Sequence, residues 1–163
     1  GQLHGVENFD TDYVEALLIA TVDAALVLQN VALAAESHGL GICMIGAIRI
    51  HPKAVGKLLN LPPLVYAVAG LCLGYPAKDQ QQKPRLPLET ILHHERYPED
   101  DQQINHIKRY DQTMVEFYSS QAMHDKDPRW SKVMAARTAL FHERAELDEY
   151  LSDQGFHFNS STP

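Results

Sequence analysis

Two basic residues that flank a proline are the side chains in this sequence best suited to binding an anion. They lie in the segment Lys83-Pro84-Arg85-Leu86-Pro87, which follows two apolar, glycine-bearing segments. Arginine can hold a phosphate through two parallel hydrogen bonds, and lysine acts as a compact point charge. Because the prolines restrict the loop, Lys83 and Arg85 are expected to converge on one anion. Taken alone, such a pair is more often only solvated.

A second candidate binding element is the turn that ends the first apolar segment, Met44-Ile45-Gly46-Ala47. A glycine directly after a strand lets the backbone approach a planar ring and direct N–H groups at it. The alternative is an ordinary strand-ending turn. Arg49 follows the same turn and adds a third cation.

The order and spacing of these segments resemble the oxygen-insensitive NAD(P)H nitroreductase and flavin reductase family, which uses FMN. The resemblance runs from about Val14 to about Phe156. The segments that carry it are Gly39-Leu40-Gly41-Ile42-Cys43-Met44-Ile45-Gly46-Ala47-Ile48-Arg49, Leu59-Asn60-Leu61-Pro62, Gly70-Leu71-Cys72-Leu73-Gly74-Tyr75-Pro76-Ala77, the basic pentapeptide and Gln154-Gly155-Phe156.

The resemblance implies a role for each candidate residue. Lys83 and Arg85 would bind the FMN phosphate, Met44–Ala47 would make main-chain contacts to the flavin, and Arg49 would lie on the substrate side. The family commonly has a second glycine where Ala47 stands. No catalytic side chain is expected, because the flavin carries the hydride chemistry.

The resemblance also implies an α+β sandwich with a mixed sheet and flanking helices. Family members begin with a further helical segment and a His-x-Ser-x-Arg strand that this sequence does not match. We therefore expect residues 1–163 to form a single, partial domain, the C-terminal two-thirds of a flavoprotein. Residues 76–87 would be the cofactor-side loop and residues 99–163 a helical C-terminal excursion.

The expected activity is NAD(P)H-dependent reduction of a small-molecule electron acceptor, namely nitroaromatics, quinones or flavin, by ping-pong hydride transfer in a homodimer. The alternative is a non-catalytic dimerising or flavin-binding remnant. Family members often have basic residues for NADPH in the segment that is 119–129 here. Asp125 and Asp127 accompany Lys126 and Arg129 in this chain, which leaves NADH use open.

Composition limits which binding partners and which cellular location are expected. The chain has 163 residues, 45% of them apolar, and a formal net charge of −7. This charge argues against nucleic acid and anionic membranes as partners. Asp23 interrupts the first apolar stretch, so no membrane span is predicted. A cytoplasmic location is therefore expected.

Two other residue groups suggest chemistry but are interpreted as structural. His93-His94-Glu95 lacks the i,i+4 histidine pair of a helical zinc site, so no metal site is predicted. Cys43 and Cys72 have neither a CxxC partner nor an adjacent cation. Both are predicted to be buried, reduced residues, and a redox thiol is the alternative.

Hydrophobic periodicity predicts the elements that position these residues. Apolar residues recur at helical spacing from Asp12 to Ser37, with Asp10, Thr11 or Asp12 as cap and Gly39 as stop, and this helix is predicted to be widely buried. Ile42–Ile45 and Leu64–Leu73 are predicted as buried strands. Further helices are predicted over Pro52–Leu59, Ile104–Tyr118 and, as one or two helices, Pro128–Leu151.

Overall fold

Helices predominate, and one small sheet accompanies them. A computed structural model describes residues 4–5, 14–78, 81–121 and 127–157, without the Glu143 side chain. Within these ranges the helices are α1 Val14–Ser37, α2 Pro52–Leu59, α3 Asp100–Ser120, α4 Trp130–Ala139 and α5 Ala145–Asp153, and the strands are β1 Gly41–Ile45 and β2 Gly70–Gly74. The predicted α+β class is confirmed.

Local signals predicted the helix positions well. Gly39 follows α1 at a φ of 74°, and the N–H of Leu40 donates to the carbonyl of Ala35. This left-handed ending is typical of a glycine helix stop. Helix α2 has the predicted bounds, with Pro52 in its first turn. The predicted caps at positions 10–12 lie outside the described residues.

The predicted wide burial of α1 is wrong for the single chain. Of its residues, Ala32 and Ala35 are buried, whereas Leu26 and Val27 are 60% and 62% exposed. A sheet of two strands covers only a narrow strip of a helix, and small alanines permit the closest approach along that strip. The 24-residue helix is also long and apolar enough to cross a membrane, despite Asp23. The same composition occurs in core helices of soluble proteins.

The two strands form an antiparallel pair. Its register runs from Gly41 opposite Gly74 to Ile45 opposite Gly70. The predicted second strand began at Leu64, but Leu64 has a φ of 62° and therefore cannot lie in a strand. The described residues add no parallel strand to this pair.

The predicted burial of both strands is wrong as well. Elements that pack on the strand pair cover its faces only in part, because every residue of β1 and β2 is at least partly exposed. Met44 and Leu73 are 45% and 48% exposed. Cys43 and Cys72, which were predicted to be buried, are both exposed.

The chain divides into two compact units. The first comprises Gly1–Lys78 with His142–Pro163, and the second comprises Asp79–Phe141. The single domain 1–163 and the excursion 99–163 remain predictions, and residues from His142 onward group with the first unit.

In the first unit, α5 packs on α2. Tyr150 and Leu151 of α5 are buried, and the N–H of Leu64 donates to the carbonyl of Gln154 at 2.8 Å. The rings of Tyr66 and Phe156 meet edge to face, with centroids 6.1 Å apart. The C-terminal helix and the residues directly after it are therefore held by two segments, α2 and residues 64–66.

In the second unit, α3 supports α4. Tyr110 and Met114 of α3 are buried. The carboxylate of Asp111 accepts hydrogen bonds from the backbone N–H of Ser131 at 2.8 Å and from its hydroxyl at 2.5 Å. A side chain of one helix thereby satisfies one of the free N–H groups at the start of the next.

Candidate functional site

The loop that carries the two candidate cations lies along α3. The hydroxyl of Tyr110 donates to the carbonyl of Pro84 at 2.9 Å, and the amide of Gln121 donates to Gln81 at 3.1 Å. The ammonium nitrogen of Lys83 lies 5.5 Å from the ring centroid of Tyr118, within range of a cation–π interaction. A buried tyrosine therefore holds the loop between its two basic residues.

Lys83 and Arg85 keep their charges available. Both side chains are exposed. Within the described part of the chain no carboxylate lies at ion-pair distance from either, whereas Lys53, Arg129 and Lys132 are all paired. Two cations separated by one proline, on a loop held by hydrogen bonds, can bind a phosphate without first breaking an ion pair to a described residue.

The turn predicted to contact the flavin has a regular backbone, but the side chain of Arg49 fills the space beside Gly46. Met44 and Ile45 end β1, Gly46 has a φ of −81°, and Ala47 starts a 3₁₀-helix that ends at Arg49. Gly46 therefore needs no left-handed backbone, and Ala47 fits its place without strain. A Cβ at Gly46 would lie 3.4 Å from the Arg49 guanidinium, so this arginine occupies the space beside the glycine.

Arg49 braces the turn from inside the first unit. Its guanidinium Nη1 donates to the carbonyl of Val68, and its side chain is half-buried. The sequence offered no signal for this contact, because Val68 lies 19 residues away and contributes only a backbone oxygen. A position facing a substrate, predicted for Arg49, stays a prediction.

The structure places the predicted site residues in two groups. Met44, Ile45, Gly46, Ala47 and Arg49 belong to the first unit, and Lys83 and Arg85 belong to the second. Contacts within the first group join Arg49 to Gly46. Within the second group, Tyr110 and Tyr118 of α3 hold the loop, and neither tyrosine was predicted to be involved.

An ion-pair cluster precedes α4, where basic residues for NADPH were considered. Asp127 accepts hydrogen bonds from the guanidinium of Arg129 and from the ammonium of Lys132, the latter at 3.0 Å. The Arg129 guanidinium holds the pKa of Asp127 well below its usual range, and Asp127 in turn raises the pKa of Arg129. The charge of Arg129 is thus largely offset. Asp125 and Lys126 lie outside the described residues.

The His93-His94 segment borders a cavity of about 560 Å³. The rings of His93 and Tyr97 meet with centroids 4.9 Å apart, and Gln103, only 9% exposed, also lines it. Among the described residues, no three histidine, cysteine, aspartate or glutamate side chains gather at metal-binding distance.

Sequence comparison relates this geometry to known proteins. Residues 14–75 match the profile described as "Nitroreductase family", and residues 83–159 match "Nitroreductase family, C-terminal domain". The chain is 36% identical to an FMN reductase [NAD(P)H] of Bacillus subtilis, over 94% of this chain and 61% of the relative. It is 39% identical to an oxygen-insensitive NADPH nitroreductase of Salmonella typhimurium, over 87% of this chain and 58% of the relative.

Solved structures share the fold. The hypothetical oxidoreductase YcnD from B. subtilis superimposes with a TM-score of 0.92 at 34% identity, over 98% of this chain and 64% of that one. The NADPH:FMN oxidoreductase from Vibrio harveyi, complexed with NAD+, gives a TM-score of 0.79 at 35% identity, over 94% of this chain and 63% of that one. The chain thus spans somewhat under two-thirds of the length of the proteins it matches.

Proposed function

Since the chain belongs to the nitroreductase family, we propose that it acts in the FMN-dependent reduction of nitroaromatics, quinones or free flavin by NAD(P)H. Relatives named FMN reductase, NADPH nitroreductase and NADPH-flavin oxidoreductase support this reaction class. FMN supplies the hydride chemistry when bound. The work of the protein is then to bind the cofactor, orient it and admit the electron acceptor.

The observation that carries the proposal is that Lys83 and Arg85, on a braced loop, have no carboxylate partner among the described residues. A phosphate monoester carries up to two negative charges, which two nearby cations can offset. Exposed cations gain much of their binding energy through direct hydrogen bonds to phosphate oxygens, and arginine can make two of these at once. The pair therefore fits the phosphate of FMN.

Met44–Ala47 is proposed as the segment that offers main-chain donors to the flavin ring. The end of β1 and the following 3₁₀ turn give it a defined backbone. To bind substrate, Arg49 would have to release the carbonyl of Val68 or use guanidinium N–H groups that do not donate to it.

NADH is proposed to serve at least as well as NADPH. Recognition of the 2′-phosphate of NADPH needs unpaired basic residues, and Arg129 and Lys132 share the carboxylate of Asp127. A ratio of kcat/KM values for the two nucleotides near unity would support this. A strong preference for NADPH would require cations elsewhere.

Self-association through α1 is proposed for the assembled protein. Leu18, Val22, Leu26 and Leu33 are each at least half exposed on this helix, and an exposed apolar surface of this kind marks an interaction site. A homodimer fits both this surface and the family, and we propose the cytoplasm as its location. Sedimentation of a Leu26→Glu variant, compared with the parent chain, tests the interface.

FMN titration tests the phosphate assignment. The purified chain is titrated with FMN, and quenching of flavin fluorescence gives Kd for the parent and for a Lys83→Ala, Arg85→Ala variant. The matched control is Lys108→Ala, Arg109→Ala, which removes two exposed cations from α3 of the same unit. Loss of two charge-assisted contacts should weaken binding by roughly a hundredfold or more.

Each outcome has a defined meaning. Equal Kd values for the parent and the loop variant would overturn the assignment, and so would equal losses in both double variants, because that would show only a general charge effect. If the parent chain binds no FMN, the non-catalytic dimerising alternative is favoured over the flavoenzyme and over a flavin-binding remnant.

A further inference from the structure

The thiols of Cys43 and Cys72 are arranged as a cross-strand pair. In the antiparallel register of β1 and β2, these two residues lie directly opposite each other. Opposite residues of an antiparallel pair project to the same face of the sheet. Both cysteines are free and exposed. Each thiol therefore has the other as its direct cross-strand neighbour on an accessible face.

Glycines hold most of the flanking positions on this face, although Pro76 lies beside Gly41 and Ile48 lies beside Gly70. The residues that flank the cysteine pair on the same face are Gly41 and Gly74 on one side and Ile45 and Gly70 on the other. A Cβ built on Gly74 would meet no atom within 4 Å. Three of the four flanking positions thus have no side chain, and the space beside Cys72 is open to a reagent.

The spacing of opposite strand residues suits a disulfide. Cα atoms directly across an antiparallel pair are about 4.5 or 5.5 Å apart, depending on the hydrogen-bonding position. Disulfides bridge Cα atoms about 4.4 to 6.8 Å apart, so both values lie within range. The flanking glycines also let the strands adjust to the S–S bond, because glycine restricts the backbone least.

We propose that Cys43 and Cys72 are a reversible thiol–disulfide site that low-molecular-weight disulfides oxidise. In the overall reaction, the two protein thiols form one S–S bond and release two protons and two electrons. Glutathione disulfide accepts these and becomes two molecules of glutathione. Atoms and electrons therefore balance without any bound cofactor, and the inference does not depend on the flavin function.

The reaction follows ordinary thiol–disulfide exchange. One cysteine, as the thiolate, attacks a sulfur of glutathione disulfide, forms a mixed disulfide and expels one glutathione thiolate. The opposite cysteine then attacks the protein sulfur of that mixed disulfide and expels the second glutathione. The second step is intramolecular, so the direct cross-strand placement should make the mixed disulfide short-lived.

Intact mass spectrometry of the purified, dilute chain tests the site. After incubation with excess glutathione disulfide and acid quenching, the parent should become lighter by two hydrogen atoms, and dithiothreitol should reverse this. Cys43→Ser and Cys72→Ser should each instead gain one glutathionyl group. Peptide mapping should then find a peptide linked through Cys43 and Cys72 in the oxidised parent.

A register control tests whether disulfide formation depends on the two thiols lying directly opposite each other, and not only on their being near each other. In a Cys72→Ser, Leu73→Cys variant, the thiol moves by one residue and points to the other face of the sheet. This variant should accumulate mixed disulfides and close at least tenfold more slowly than the parent. Circular dichroism of each variant shows whether its fold matches that of the parent.

Three results would overturn the inference. The first is stable addition of two glutathionyl groups to the parent, and the second is closure of the register control at the rate of the parent. The third is failure of both parent thiols to react with Ellman's reagent in the folded chain, since that would contradict their exposure.

Discussion

The ring of Tyr150 packs directly over Gly56, where α5 crosses α2. A Cβ at Gly56 would lie 2.9 Å from Cζ of Tyr150 and closer still to its hydroxyl oxygen, and Tyr150 is only 5% exposed. Glycine is thus needed at this position for lack of space and not for its backbone freedom. The contact joins residues of two helices that lie far apart in the sequence.

Gly56→Ala should therefore destabilise the first unit. Overpacking of this kind costs about 1–3 kcal/mol, measured as the free energy of unfolding in urea. Gly74→Ala is the matched control, because its Cβ meets no atom within 4 Å.

The destabilisation caused by Gly56→Ala should disappear or reverse when the ring of Tyr150 is removed. Alanine is favoured over glycine inside helices by about 1 kcal/mol, so in a Tyr150→Leu background Gly56→Ala should be neutral or stabilising. Equal destabilisation in both backgrounds would show that Tyr150 does not cause the effect.

Arg49→Leu should lower stability even without substrate. The substitution removes the hydrogen bond from the guanidinium to the carbonyl of Val68, which costs about 1–3 kcal/mol for a charged donor. Arg109→Leu, which changes an exposed arginine of α3, should have little effect on the unfolding free energy. An arginine that served substrate alone would instead change KM and leave the unfolding curve where it was.

The ion pairs of Asp127 should stabilise the folded chain only while its carboxyl is ionised. Its pKa is lowered in the folded chain, chiefly by hydrogen bonding to Arg129. A lowered folded pKa means that the contribution is complete above the unfolded pKa of about 3.9 and is lost as pH falls through the folded value.

Thermal unfolding of the parent and of Asp127→Asn checks this pH dependence. The difference in Tm should be largest near neutral pH and should shrink as the solution is acidified below about pH 4. Asp23→Asn on the exposed face of α1 provides the control. If the difference in Tm grew on acidification, the pKa of Asp127 would not be lowered in the folded chain.

Tyr110→Phe should weaken FMN binding without removing any charge. The hydroxyl of Tyr110 holds the carbonyl of Pro84 between the two cations, and one neutral hydrogen bond is worth about 0.5–1.5 kcal/mol. A two- to tenfold rise in the Kd for FMN is expected on that basis. Tyr97→Phe, which changes a residue that is 75% exposed, should leave Kd unchanged, and equal effects of both substitutions would argue against the brace.

Short-range chemistry made part of this protein predictable from sequence. Gly39 ends α1 because glycine adopts a left-handed backbone at little cost, and Pro52 opens α2 because its missing N–H is not needed there. The order of the glycine-bearing and basic segments indicated the family. The two helix signals lie within a few residues of the features that they predict.

Contacts between distant segments decided the rest. The exposure and pairing of Cys43 and Cys72 follow from the register of two strands, and the buried brace on Pro84 comes from a helix 26 residues away. Apolar character predicted that the cysteines would be buried, but burial depends on which surfaces cover a segment. Those surfaces are fixed by the packing of the whole chain, which residue type and spacing alone do not specify.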